Sequence, residues 1–392
     1  MKSNYKPIGD FIRLVDVRNI GLRVTTLLGL SISKEFIPSV ANTIGSDMGN
    51  YKIIRKNQFA CSLMQVRRDK KIPVALFRQF KEAIISQAYP VFEVIDEEIL
   101  LPEYLMMWFS RTEFDRESCF YAVGGVRGSL EWEDFCNMQL PVPSIEKQKE
   151  IVAEYNIIVN RIKLNEQLNQ KLEETAQAIY KQWFVDFEFP DENGKPYKSS
   201  GGKMVFNEVL EKEIPKVWEV KTIGKIADIK AGGDKPKIFS ETKTDECQIP
   251  IYSNGVTNDG LYGFTNEHNY PKNSITISAR GTIGFCVLRS EEFDAIVRLL
   301  VVIPKHSNSA IYLWQSMRKI EFDDSGSVQN QLTIPQISVL NILMPIQDVL
   351  KLYNSIIESI FKNIEIHSTE NQKLQDLKEL LLSKMTKAET TV

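Results

Sequence analysis

The feature that most constrains this chain is that it is written twice. Asn169-Gln170-Lys171-Leu172 recurs at 371–374, an offset of 202, and Pro143/Pro345, Leu130/Leu332 and Gly124/Gly326 keep that same offset. No insertion or deletion therefore separates the two copies between Gly124 and Leu172. Further upstream the correspondence drifts: Tyr104-Leu105 answers Tyr312-Leu313, Lys56-Asn57 answers Lys272-Asn273, and Ile8-Gly9 answers Ile223-Gly224, at offsets of 208, 216 and 215. A tandem duplication of this kind obliges the chain to build one fold twice, with different loops on each copy. Its 392 residues also exceed what a single core usually organises.

Each copy has a mixed front and a helical back. The fronts carry short β-type runs such as Ile275-Thr276-Ile277 and Leu299–Pro304, punctuated by Gly, Pro and Asn. The backs contain no Gly and no internal Pro after Pro143 and Pro345. In the first, Ile151, Tyr155, Ile158, Ile162, Asn165, Asn169, Leu172, Ala176, Ile179 and Trp183 alternate by four and three. In the second, Tyr353, Ile357, Ile360, Ile364, His367, Asn371, Leu374, Lys378, Leu381 and Met385 do the same. Such a spacing is a heptad seam, and two seams in one chain pack most simply against each other. At about 1.5 Å per residue, each helix extends on the order of 60 Å.

The expected class is α+β: two mixed α/β domains separated by two long antiparallel coiled-coil helices, duplicated about a pseudo-twofold axis. The expected boundaries are a first domain over 1–143, a spacer helix over 144–187, a connector over 188–217, a second domain over 218–345, and a second spacer helix with its tail over 346–392. Asn165, Asn169, His367 and Asn371 form a polar layer near the middle of both seams, where a buried amide can fix register. Partial exposure where the helices splay is the competing reading.

Composition narrows the function. No apolar run reaches the roughly 20 residues that span a bilayer, and the N-terminus lacks a signal-peptide h-region. Five scattered cysteines without a CxxC favour reduced thiols in a cytoplasm, and three distant histidines argue against a His-based metal site. The net charge is −3, with 18 basic and 17 acidic residues over 1–143 and 13 and 14 over 218–345. Any polyanion contact must come from charge placed locally.

Such placement exists in both copies. In the second, Arg280, Gly281 and Thr282 sit in the turn "ARGTIG" between two apolar runs; in the first, Gln65, Arg67, Arg68, Lys70 and Lys71 crowd the matching loop. An arginine at a strand tip can hold a guanine edge bidentately or clamp a phosphate, and flanking glycines allow close approach. A solvated hairpin tip is the bland alternative. A second loop precedes each helix: Gly124 and Arg127 in one copy; Gly326, Ser327, Gln329, Asn330 and Gln331 in the other. Asn and Gln read adenine bidentately, whereas the same composition also suits a plain flexible loop.

Together the repeat, "ITISARGTIG", "SGSVQNQL", "LPVPSIEKQKEIV", "IPKVWEVKTIGKIADI" and "YKQWFVDFEFPDENGKPYKSSGGKMV" resemble the specificity (S) subunit of type I restriction–modification systems over essentially the whole chain. The first copy departs at one point, carrying "CSLMQVRRDKK" in place of the ARGTIG-type loop. The resemblance implies two target-recognition domains, each reading half of a split double-stranded DNA site, with the helices as spacer. It implies partners as well: two methyltransferase (M) subunits, and restriction/translocase (R) subunits, in a bacterial or archaeal cytoplasm. S-adenosylmethionine, ATP and Mg²⁺ would then be used by those partners, with no cofactor in this chain.

The residues themselves agree on the absence of chemistry. There is no Asn/Asp-Pro-Pro-aromatic motif and no GxxxxGK[ST] loop for ATP phosphates. Asp228 with Glu241 and Lys243 is too loosely spaced to mark a nuclease. A recognition subunit is the expected function. The competing classes are a scaffold or antitoxin-like helical protein that does not bind DNA, and a stand-alone nuclease.

Overall fold

A computed structural model describes residues 5–39, 47–125, 128–320, 322 and 331–387. It divides into two compact units. Unit 1 comprises residues 1–167 and 366–392, and unit 2 comprises 168–365, so each unit owns half of each long helix. The class is α+β, tandemly repeated.

Strand for strand, each unit builds its own four-stranded antiparallel sheet of the same order. In unit 1 its order is Ile12–Leu14, Val91–Val94, Gln58–Cys61, Val74–Leu76; in unit 2 it is Ala227–Ala231, Leu300–Pro304, Ser274–Ile277, Cys286–Arg289. The central strands Gln58–Cys61 and Ser274–Ile277 are buried along their whole length, so the polar Gln58, Ser274 and Thr276 are buried together with their apolar neighbours. A second sheet differs between the copies. Unit 1 has four strands in the order Phe36–Pro38, Leu27–Leu30, Glu82–Ile85, Lys52–Arg55; unit 2 has three, Leu261–Thr265, Ile249–Tyr252, Asp294–Ala295. Each unit also ties its start to the entrance of its long helix, pairing Tyr5–Pro7 with Gln139–Pro141 and Glu219–Thr222 with Asn341–Met344.

At these ties close approach favours glycine. A Cβ at Gly9 would lie 2.9 Å from the Cβ of Cys136, and one at Gly224 would lie 3.2 Å from the Cβ of Ser338. Duplication has kept the backbone contact and its small residue alike.

The long helices run over Ile145–Tyr180 and Gln347–Lys384. In unit 1, Ile151 and Val152 near the start of the first share a core with Leu382 and Met385 at the end of the second. In unit 2, the end of the first meets the start of the second: Trp183 and Phe184 pack on Tyr353 with ring centroids 5.7 and 4.7 Å apart. Within each unit the two helices are therefore antiparallel. The heptad positions are buried or half-buried, whereas Ile157 and Leu377 off the seam are exposed.

The first helix does not end as a plain α-helix. Lys181–Val185 widens into a π-type turn, closed by the Asp186 amide donating to the Lys181 carbonyl at 2.9 Å. The extra residue lets neighbouring Trp183 and Phe184 both reach the core of unit 2, where Phe184 also packs on Tyr312 at 4.6 Å. Beyond it the connector is ordered by stacked rings, Phe189 lying 4.6 Å from Tyr197 and 4.8 Å from Trp218. A hairpin follows, pairing Met204–Asn207 with Lys212–Pro215.

Candidate nucleic-acid interface

In unit 2 the ARGTIG turn joins the paired strands Ser274–Ile277 and Cys286–Arg289. Its neck is closed twice: Ser278 N–H donates to the Phe285 carbonyl at 3.0 Å, and Gly284 N–H to the Ser278 carbonyl at 2.9 Å. Ala279 is buried and held on both sides, donating to Asn254 Oδ1 at 2.7 Å and accepting from Leu332 N–H at 3.0 Å. The next three residues, Arg280, Gly281 and Thr282, emerge into solvent. Gly281 at φ 71° turns the chain in open space, whereas Gly284 at φ 82° turns it against Phe322, 2.5 Å from where a Cβ would stand. Both are conformations that glycine adopts without strain.

Arg280 crosses to the second loop and donates from Nη2 to Gln331 Oε1 at 2.8 Å. The structure thus brings together one residue from each expected loop. Gly326, Ser327, Gln329 and Asn330 lie outside the described residues.

Unit 1 joins its two loops by a different residue. Gln65 turns at φ 63°, Val66–Asp69 form one helical turn, and Lys70 leaves it at φ 51°. Arg67 donates from Nη1 to the Gly124 carbonyl at 3.0 Å and from its backbone to the Gly128 carbonyl at 3.3 Å. A Cβ on Gly128 would lie 2.8 Å from Arg67 Cδ, so the side chain lies flat over that glycine. Arg68 is engaged within the loop by Asp69, at 2.6 and 3.1 Å, a pairing that raises the Arg68 pKa. Lys70 and Lys71 are exposed. Gly124 turns at φ 110°, and Arg127 lies outside the described residues.

Two supports of these loops carry no signal in the sequence. Asp115 is one: its Oδ1 accepts Ile72 N–H at 3.1 Å, pinning the far end of the basic loop, and also the Lys34 ammonium at 2.8 Å. Both charged side chains are nearly sealed, at 7% and 9% exposure. Burial lowers the Lys34 pKa, and Asp115 opposes that shift. The other support is Asn254, which bridges Ala279 to the Val297 carbonyl at 2.8 Å. Val297 and Arg298 both lie at positive φ, 55° and 58°. Consecutive non-glycine residues there are costly and persist only when the surroundings fix them. That turn presents Arg298 to solvent.

Of the polar layer, Asn165 is fully buried and donates to Asn371 Oδ1 and to Glu370 Oε2, each at 2.8 Å. Arg161 adds a two-pronged contact to Glu370 at 3.0 and 2.9 Å. The Arg161 and Asn165 hydrogen bonds hold the Glu370 carboxyl below its usual range. His367 belongs to the same unit, and Asn169 to the other.

The family described as "Type I restriction modification DNA specificity domain" matches residues 46–174 and again 215–376. The chain belongs to that family. The specificity family's two matched stretches fall one in each copy of the duplication. Among curated relatives, the type I restriction enzyme MjaIX specificity subunit of Methanocaldococcus jannaschii is 24% identical over 76% of this chain and 71% of its own length. The HindI specificity subunit of Haemophilus influenzae is 23% identical over 78% and 81%. The crystal structure of a type I S subunit from M. genitalium has the same fold, with a TM-score of 0.63 at 15% identity over 97% of this chain and 95% of that one.

The specificity role of this family is non-catalytic. Among the described residues no group of three or more His, Cys, Asp or Glu could hold a metal ion, and no helix is long and apolar enough to cross a membrane. Burial pushes the Cys286 thiol up to about 12 and raises that of Cys61 further, so neither supplies a thiolate nucleophile.

Proposed function

We propose that the chain reads a bipartite, asymmetric double-stranded DNA target, one half-site per copy, as the specificity subunit of a type I restriction–modification complex. The domains read as 1–143 and 218–345 are the target-recognition domains, and the long helices set the gap between half-sites. Two methyltransferase subunits dock on those helices, and restriction/translocase subunits join them. S-adenosylmethionine, ATP and Mg²⁺ act in those partners.

One observation carries the reading. In each unit an arginine of the loop between the two paired strands reaches the loop that precedes the long helix: Arg280 to Gln331, and Arg67, from the helical turn, to Gly124. Two surfaces of like construction and unlike residues suit two unlike half-sites. Arg280–Gln331 is also a pair in which the amide carbonyl holds the guanidinium fork in place for a guanine edge.

Replacing Arg280 by Ala is expected to cost about 1–3 kcal/mol of discrimination at one base of one half-site. Binding of the assembled methyltransferase complex to a panel of single-base variants of the target measures it. Equal weakening on every sequence would make Arg280 a phosphate contact, no change on any would remove Arg280 from the interface, and a wild-type complex with no preference among sequences would favour a scaffold that does not bind DNA.

A further inference from the structure

The two tip loops can be superposed residue by residue through their hydrogen bonds, and the superposition does not pair Arg280 with an arginine. Asn57 and Asn273 precede the central strands, both in the left-handed region at φ 66° and 61°. The strands Gln58–Cys61 and Ser274–Ile277 then run at the constant offset of 216. Ser62 N–H closes its loop on the Pro73 carbonyl at 2.8 Å, as Ser278 closes on Phe285 at 3.0 Å. The Leu63 carbonyl accepts Leu130 N–H at 2.9 Å, as the Ala279 carbonyl accepts Leu332 N–H at 3.0 Å. Two residues later the chain goes left-handed in both, at Gln65 (φ 63°) and Gly281 (φ 71°). The single residue between those fixed points is Met64 in unit 1 and Arg280 in unit 2. The four extra residues of the first loop come after this point and form the helical turn Val66–Asp69. Arg67 and Arg68 therefore belong to an insertion, and neither replaces Arg280.

The surroundings of the pair change together. At the offset of 202 shared by Leu130 and Leu332, Gln331 corresponds to Ser129. Unit 2 has a guanidinium held by an amide, and unit 1 has a thioether and a hydroxyl at the same two places. Met64 is also 47% exposed, although four of residues 67–71 beside it are basic. An unbranched, polarisable side chain presented among phosphate-seeking charges suits the one apolar feature of the major groove, the thymine C5-methyl.

We propose that Met64 is the base-reading residue of unit 1, equivalent to Arg280, and that it selects thymine where Arg280 selects guanine at the equivalent position of the other half-site. The proposal rests on the DNA-reading function above and adds which residue of the first loop carries specificity, leaving Arg67, Lys70 and Lys71 to position the loop and meet phosphates.

The test is methylation-motif sequencing of DNA from cells expressing the full chain with its methyltransferase partner, as wild type, Met64→Arg, Met64→Ala and Arg280→Met. The arginine variant is expected to change one base of one half-site from thymine to guanine, leaving the other half-site and the gap intact. Arg280→Met should alter one base of the other half-site. Met64→Ala, which removes a half-exposed apolar side chain, should reduce thymine discrimination at that base about 4-fold, as for the loss of one buried methyl contact. A wild-type motif retained by both Met64 variants would overturn the assignment while leaving the DNA-reading function standing. A wild-type chain that directs no bipartite motif would sink the functional reading itself.

Discussion

Replacing Asp115 by Ala is expected to destabilise the protein by about 3–5 kcal/mol. The cost follows from what the carboxylate leaves behind. Lys34 would keep its nearly sealed position with the Phe109 carbonyl as its remaining described hydrogen-bond partner, and the buried Ile72 N–H would lose its acceptor. An uncompensated buried ammonium and an unsatisfied amide each carry a desolvation penalty. Against a total stability of about 5–15 kcal/mol, that is a large share. Asp115→Asn, which keeps an acceptor for Ile72 while removing the charge, should fall between the wild type and the alanine variant. Urea unfolding of the purified chain measures both, and an unchanged midpoint for Asp115→Ala would show that the pair contributes nothing. Because Ile72 ends the basic loop, the same substitution should release Lys70 and Lys71 from their fixed positions.

The second large effect concerns the gap between half-sites. Inserting four residues into each long helix, beside Gln167 in the first and Ile366 in the second, is expected to lengthen the gap and to leave both half-sequences unchanged. Four residues add about 6 Å of helix, against about 3.4 Å per base pair, so the gap should grow by one or two base pairs. An insertion of that length shifts the heptad as a stutter, which a two-helix seam accommodates by local unwinding. Insertion into one helix alone should impair assembly, because the antiparallel pairing within each unit would lose its register. Motif sequencing reads the outcome, and an altered half-sequence would contradict the spacer role.

Much of this architecture is legible in the sequence because it is written in short-range and repeated signals. The seam of alternating fours and threes is local, and so are Pro143 and Pro345 before each helix. The duplication is visible wherever the offset stays at 202. The loops are a different matter. Gln65 carries the left-handed turn that Gly281 carries in the other copy, yet glutamine announces no such conformation. The four-residue insertion shows in the sequence only as a drifting offset; fixing its place took the backbone bonds from Leu130 to Leu63 and from Leu332 to Ala279. Asp115 meets Lys34 across 81 residues of chain and Ile72 across 43, and Asn254 meets Ala279 across 25. None of these separations follows a helix or strand period. The charge pattern draws attention to these two loops, but the long-range bonds decide which residue within them stands at the tip.

The antiparallel pairing of the helices is likewise argued in the sequence from the two seams and found in each unit from particular contacts. Ile151 and Val152 share a core with Leu382 and Met385, and Trp183 meets Tyr353. In unit 1 the polar layer extends beyond the residues on the seam. Asn165, Asn371, Glu370 and Arg161 form one connected network, and Glu370 and Arg161 had no sequence signal beyond being charged.

Methylation-motif sequencing of cells that carry the chain and of cells from which it is deleted tests the reading most directly. Two unlike half-sites at a constant separation should be methylated when the chain is present and unmethylated when it is absent. A methylome indifferent to the deletion, or a motif that is one uninterrupted stretch of bases, would contradict it.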